Sequence, residues 1–195
     1  MKRPLILIGG GGHCKSVIEV AESAGYEIKG ILDMPDEVGK DVLPGYKVIG
    51  TDDEIPQYVE ECDFVITVGF IKNPAIRIKL YNKVKAAGGR LATIIASTAF
   101  VNAGAKIGDN CIINTFVNIE HDAEVGNQCH ISTGTMVNGE CKIGENCFIG
   151  SLSVCANCIE IASDIIVGAG SVVRKSIRMK GIYAGNPAIL KIKAK

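Results

Sequence analysis

INTFVNIEHDAEVGNQCHISTGTMVNGECKIGENCF, residues 113–148, falls into rungs of six, and an Ile or Val opens every rung. The frame runs further in both directions. From position 95 to position 173 in steps of six, Ile or Val occurs thirteen times in fourteen, with Cys155 the one exception. Ile and Val make up 45 of the 195 residues, so chance would place about three in that frame. Four residues after each of these comes Ala, Cys, Ser or Thr in ten cases; the others are Val117, Ile159, Ile165 and Ile177. No helix or amphipathic strand has a strict period of six, but a hexapeptide β-helix does. Each hexapeptide forms a short strand and a turn, and three make one triangular coil. The branched residue fills the interior, and the small one lies near the corner, where bulk does not fit. Fourteen rungs give between four and five coils. Coils of this kind wind left-handed, an exception to the usual crossover rule.

Residues 1–92 have another rhythm. PLILIG (4–9), IKGILD (28–33), YKVIG (46–50) and DFVITVG (63–69) read as strands, with LATII (91–95) as the last. Helical patterns alternate with them: SVIEVAESAG after the first strand, a short helix near 52–60, and PAIRIKLYNKVKAAG (74–88). Strands alternating with helices predict a small Rossmann-like parallel sheet. The expected fold is therefore α/β followed by all-β. A Rossmann-like domain spans 1–92, a left-handed parallel β-helix 93–178, and a C-terminal tail 179–195.

Composition narrows the function classes. With 21 basic and 21 acidic side chains, no global field favours nucleic acid or a membrane surface. The apolar run FVITVGFI (64–71) is too short to span a bilayer, and MKRPLILIGGGG has only four apolar residues before its glycines. A cytoplasmic protein with reduced thiols is expected. Cys111, Cys129, Cys141 and Cys147 occupy the small-residue slot, so packing accounts for them. CANC (155–158) lies in frame with no second pair or histidine at ligand spacing, and no metal is expected. With only His121 and His130 in the repeat, a three-histidine zinc site between subunits is not expected either.

Two candidate sites follow. His121 is third in its rung, outside the core, where its ring can face a cleft. A neutral imidazole there suits proton abstraction near pH 7, although the spacing alone also fits a solvated histidine between two carboxylates. A coil is eighteen residues, so Gly139 stacks over His121. In GGGGHC (9–14), the first two glycines of G-x-G-x-x-G are present, but the third position is Cys14, against nicotinamide binding. A phosphate at the start of the following helix fits the loop.

GGGGH, IEHD, the Cys129–His130 pair and AGNPA (184–188), on an N-terminal nucleotide fold joined to hexapeptide rungs, resemble a known family. It is that of the nucleotide-aminosugar N-acetyltransferases of bacterial glycan pathways and the related sialic-acid O-acetyltransferases. The resemblance implies an acetyl-coenzyme A-dependent acetyltransferase in which His121 is the base, Asp122 holds its ring, and the Gly139 amide meets the thioester oxygen. It also implies that His130 lies near the acetyl group and Asn114 contacts the sugar or base. Gly9, Gly11, Gly12, His13, Asp33 and Gly69 would take the nucleotide part of the substrate. Relatives often carry a second acid after Asp33, where Met34 stands here. Gly185, Pro187 and Ala188 would border the coenzyme channel, with Lys191, Lys193 and Lys195 near its phosphates. A homotrimer with active sites between subunits is expected, and no nucleic-acid or membrane partner. The acceptor is expected to be the amino group of a nucleotide-linked aminosugar. The alternatives are O-acetylation of a sialic acid or other sugar hydroxyl, and a catalytically silent nucleotide-sugar sensor.

Overall fold

A computed structural model of the chain describes residues 2–69 and 74–193. They form two compact units, Met1–Ala92 and Thr93–Lys195.

The first unit is a sheet of β1 (Leu5–Ile8), β2 (Ile28–Leu32), β3 (Asp41–Leu43), β4 (Tyr46–Gly50), β5 (Asp63–Ile66) and β6 (Arg90–Leu91), with helices α1 (Gly12–Ser23), α2 (Ile55–Tyr58) and α3 (Pro74–Ala86). The strand order is β3-β4-β2-β1-β5-β6, parallel except for β3 against β4. β1 is buried at every position, as a central parallel strand must be. The direction of strand addition reverses between β1 and β5, which places a crevice at their carboxyl ends. β3 lies in a segment with no strand pattern. LATII is not one strand: Arg90–Leu91 pairs with β5, whereas Ile94–Ile95 opens the second unit.

That second unit is a parallel β-helix, left-handed as expected. Its two-residue strands stack into three sheets. One contains 94–95, 112–113, 130–131 and 148–149, then 165–167; another 100–101, 118–119, 136–137, 154–155 and 172–173; the third 106–107, 124–125, 142–143 and 160–161. Partners stand eighteen residues apart, such as Ile113 on Ile131 and Val125 on Ile143. From Ile113 to Val173, every frame residue is at most 3 % exposed. Each buried Val or Ile contributes about 1.5–3 kcal/mol.

The small-residue slot has a polar reason as well as a steric one. The Cys111, Cys129 and Cys147 thiols donate to the carbonyls of Gly126, Gly144 and Ala162, at 3.0, 3.0 and 3.2 Å. The hydroxyls of Thr93, Thr135 and Ser153 donate to Gly108, Gly150 and Gly168 in the same manner. Each bond closes a corner onto a carbonyl fifteen residues ahead. Cys155 lies buried while Cys158 is exposed, so CANC presents no paired thiols.

The frame ends at Val173. Cys155 stacks on Val173, but Ile161 then bridges Ile177, so three residues (174–176) replace the five (156–160) of the coil below. Ile177 thus takes a place over a frame residue rather than a corner slot. Residues Gly181–Ala184 stack on Ile165–Val167 in parallel, and Ile189–Lys193 returns antiparallel to close the end. What reads as a tail is part of the sheet.

The corner slot generates a prediction. Cys129→Leu overpacks a site that admits Cys, Thr or Ser and removes a donor, and it is expected to cost about 1–3 kcal/mol. Cys129→Thr retains a donor and is expected to cost less. Thermal unfolding of the two variants beside the parent measures the difference.

Candidate active site

His121 and Asp122 turn the corner between the sheets holding 118–119 and 124–125. Both are exposed, and Asp122 has φ +55°. The backbone is pinned by the Glu140 N–H donating to the His121 carbonyl at 3.0 Å. One coil above, Gly139 seats the ring: a methyl added there would stand 2.5 Å from both Cε1 and Nε2 of His121. Among the described residues, the Gly139 N–H meets no acceptor. By contrast, the N–H groups of Asp109 and Glu145, at equivalent corners, are capped by the Asn127 Oδ1 and Ser163 Oγ atoms. No hydrogen bond joins Asp122 to the His121 ring among the described residues; the carboxylate lies nearer Gly104, one coil below. The carboxylate fixed at this corner is Glu120, which accepts from Asn118 Nδ2 at 2.7 Å. Sequence reasoning passed over that pair, whose i, i+2 spacing on a strand was the available signal.

His130 sits elsewhere. It is buried on the outer side of the sheet containing 112–113 and 148–149, edge-on to Phe148 at 5.0 Å between ring centroids. Its Nε2 lies 3.4 Å from Asn114 Nδ2. The coil passes from the 118–119 strand through the His121 corner to the 124–125 strand, and only after another corner reaches His130. His121 and Gly139 therefore share one edge, while Asn114 and His130 share the face across the prism.

In the first unit, the residues expected to take a nucleotide gather at the carboxyl edge of the sheet. Gly9 has φ +107°, and a methyl there would approach Val68 Cγ2 at 2.6 Å, so only glycine fits. Asp33 pins the loop, accepting from the Gly10 N–H at 2.7 Å and the Met34 N–H at 2.9 Å. Gly11 and Gly12 face open space at the start of α1, which has no side-chain cap and no acid in its first turn. That helix end retains its partial positive charge. Gly69 is exposed beyond β5. Cys14, at the third motif position, is wholly buried, and burial raises its thiol to about 11. It packs the helix and is no nucleophile.

Arg77 is the residue the sequence reading missed. Fully buried on α3, it donates to the Ile66 and Val68 carbonyls at 3.1 and 2.6 Å, fixing the end of β5. The signal was an arginine in step with Leu80 and Val84 on an apolar helix face. Burial, and secondarily the Arg77 charge, lower His13 to about 4.

At the other end of the chain, Gly185 has φ +104° and donates its N–H to Ser171 Oγ at 3.1 Å. The Ala188 N–H donates to the Val172 carbonyl at 2.8 Å, fixing the turn that carries Pro187. Lys191 is exposed, and Lys195 lies outside the described residues, as do residues 70 and 71 of the FVITVGFI run. Among the described residues, no three His, Cys, Asp or Glu side chains converge as a metal set, and no helix is long and apolar enough to cross a membrane.

The His13 environment generates a pH prediction. A histidine whose folded value lies below its unfolded one binds fewer protons when folded, so stability falls as pH drops from about 6.5 towards 4. Between pH 7 and 5 the loss attributable to His13 is about 2 kcal/mol. His13→Gln is expected to flatten that part of the profile in urea unfolding at stepped pH. An unchanged slope would remove His13 as its source.

Three family models match: PglD N-terminal domain over 4–84, Bacterial transferase hexapeptide (six repeats) over 93–139, and Hexapeptide repeat of succinyl-transferase over 141–175. No curated protein gives a significant match. Among solved structures, a GDP-perosamine N-acetyltransferase variant from Caulobacter crescentus, in complex with CoA and GDP-perosamine, is similar. It shares 28 % identity over 96 % of each chain, with TM-score 0.83. The acetyltransferase domain of PglB from Neisseria gonorrhoeae, in complex with acetyl coenzyme A, has the same fold at 24 % identity. That match covers 98 % of this chain and 100 % of that one, with TM-score 0.80. The first unit thus matches the PglD N-terminal domain model, the second matches bacterial hexapeptide-transferase repeats, and the whole chain is similar to nucleotide-aminosugar N-acetyltransferases of that repeat type.

Proposed function

We propose that this chain transfers the acetyl group of acetyl-CoA to the amino group of a nucleotide-linked aminosugar, with His121 as general base. The observation that carries this is the His121 ring seated on Gly139, whose N–H is uncommitted. The amine nitrogen attacks the acetyl carbonyl carbon, the imidazole takes the ammonium proton, and as the C–S bond breaks the imidazolium passes that proton to the sulfur, so coenzyme A leaves as a thiol. The Gly139 N–H is placed to meet the oxyanion, a role worth about 3 kcal/mol where comparable donors have been removed. Asp122 and Glu140, at successive corners of this edge, line one pocket with Glu124 and Glu160, an acidic setting that suits the approach of an amino-bearing acceptor. The Caulobacter relative, bound to CoA and a nucleotide-linked aminosugar, supports the same substrate classes here.

The nucleotide part is assigned to the first unit. Gly9, Gly11, Gly12 and the open start of α1 suit a diphosphate. His13, held neutral, serves as a hydrogen-bonding group rather than a charge; Asp33 and Gly69 border the same edge. Acetyl-CoA as donor fits a cytoplasmic location. Gly185, Pro187, Ala188 and Lys191 are assigned to the coenzyme side.

We also propose a homotrimer in which His121 of one subunit works beside Asn114 and His130 of another. Its support is their placement across the prism from each other, with Phe100, Phe116 and Leu152 exposed at 57, 69 and 72 %. An apolar stripe of that kind suits burial against another copy.

His121→Ala is expected to lower turnover with a UDP-, GDP- or CMP-linked aminosugar by about a hundredfold or more, without loss of folding. Gly139→Ala displaces the ring and is expected to lose about as much. Unchanged turnover in His121→Ala would remove it as base, and an ester product by mass would move the reading to O-acetylation. For the shared site, inactive His121→Ala and His130→Ala chains are co-refolded in equal amounts. About a quarter of the sites then carry both histidines, so activity returns. No recovery in mixed trimers would sink the shared site.

A further inference from the structure

The peptide between Gly9 and Gly10 is held from both sides. β1 lies between β2 and β5, and the chain leaving it meets one group from each neighbour. On the β5 side, the Thr67 hydroxyl stands 2.5 Å from the Gly9 carbonyl oxygen and 3.0 Å from that of Ile8. A hydroxyl has one hydrogen to give, and the nearer oxygen takes it. On the β2 side, Asp33 Oδ2 accepts the Gly10 N–H at 2.7 Å. A trans peptide points its C=O and N–H in opposite directions, so the two bonds grip one rigid plane.

Thr67 has no other work at the surface. It is wholly buried, and its own N–H donates to the Ile8 carbonyl at 2.8 Å. The Cys14 thiol, in the first turn of α1, is a further hydrogen-bond partner of the hydroxyl. One side chain therefore ties the end of β5 to the glycine loop and to α1. The three residues before it, Phe64, Val65 and Ile66, are buried and apolar, and a valine would fill its space as well. What valine lacks is the donor.

We propose that Thr67 is a positioning residue for the nucleotide, locking the Gly9–Gly10 peptide with Asp33 so that the loop offers the crevice N–H groups rather than a carbonyl oxygen. The proposal rests on the assignment of the nucleotide to the first unit. A peptide between two glycines rotates with little steric resistance, so its orientation has to be fixed by bonds. Rotated by half a turn, it would aim the Gly9 oxygen at a bound diphosphate and release the Asp33 carboxylate beside it. Both are negative, whereas the N–H groups at the uncapped start of α1 attract an anion.

Thr67→Val and Thr67→Ala remove the hydroxyl, with and without most of the side-chain volume, and Thr67→Ser keeps it. Calorimetry with UDP, GDP and CDP on the full-length protein selects the tightest of the three. That nucleotide and CoA are then titrated into each variant, with Tm and binding stoichiometry recorded. The two hydroxyl-free variants are expected to bind the nucleotide about tenfold more weakly or worse, with CoA moved less than about twofold. Thr67→Ser is expected to stay within about threefold of the parent. A lowered Tm with unaltered nucleotide affinity would make Thr67 merely structural and overturn the proposal, as would Thr67→Ser binding as weakly as Thr67→Val. A parent that binds none of the three nucleotides removes the nucleotide assignment itself, and this proposal with it.

Discussion

The structure depends on one repeated contact, the stacking of each residue on its partner eighteen positions away. It needs a corner that sends the chain to the next sheet without spending the interior. At 110, 116, 122, 128, 140, 146, 152, 158 and 164 that corner is a non-glycine residue with φ near +55 to +60°; at 134 and 170 it is glycine. Left-handed backbone costs about 1–2 kcal/mol for an ordinary residue. Here it aims the N–H at the coil below: Gln128 donates to Asp109, Glu140 to His121, Asn146 to Asn127 and Cys158 to Gly139. The next residue then drops its thiol, hydroxyl or methyl into the corner. A strained corner is maintained because both neighbouring coils bond to it.

That regularity decides where chemistry can sit. Interior positions are filled, strand exteriors are limited by their neighbours, and the two corner residues, the left-handed one and the one before it, vary most freely. His121 occupies such a place, and its carbonyl takes part in the ladder. Functional groups on an edge are therefore spaced in coil heights, which turns the edge into a ruler. The outer faces show a different use of the repeat. Lys106, Glu124, Lys142 and Glu160 alternate in sign up one sheet, each beside an opposite charge. Such pairs lend little stability but keep that face from accumulating charge.

The sequence was most legible where geometry repeats. Thirteen matches in fourteen positions leave no alternative to the prism, and His121 over Gly139 follows from adding eighteen. The first sheet was legible as a rhythm but less so at its edges: β3 is short and only half-buried, and LATII reads as one mostly apolar run although its two halves serve different sheets. Arg77 was hidden because a helical pattern treats any charge as outward, whereas this one satisfies two carbonyls at a strand end. The two-residue contraction after Val173 was hidden for the opposite reason. Ile177 falls on the corner slot of the six-residue frame, which Ile159 and Ile165 also occupy, and only the pairing with Ile161 reveals that the coil has shortened. The resemblance places Asp122 on the His121 ring; among the described residues no hydrogen bond joins them, and the Asp122 Oδ1 stands 3.2 Å from where a Gly104 Cβ would be.

Gly139 does more than leave an amide open. Parallel stacking brings side chains of one column about 4.8 Å apart, so a ring at 121 beneath any side chain at 139 would be held flat, as the Asn127 and Glu145 column is by its own hydrogen bond. With no Cβ above it, the imidazole tips along the axis until Cε1 and Nε2 lie where that carbon would be. The direction of tipping is towards Asn157 and the corner at 174–176, the end of the second unit that carries Arg174 and Lys175. One missing methyl thus sets the direction in which the His121 ring points and leaves the Gly139 N–H open beside it, and both follow from the single geometric fact that the column continues.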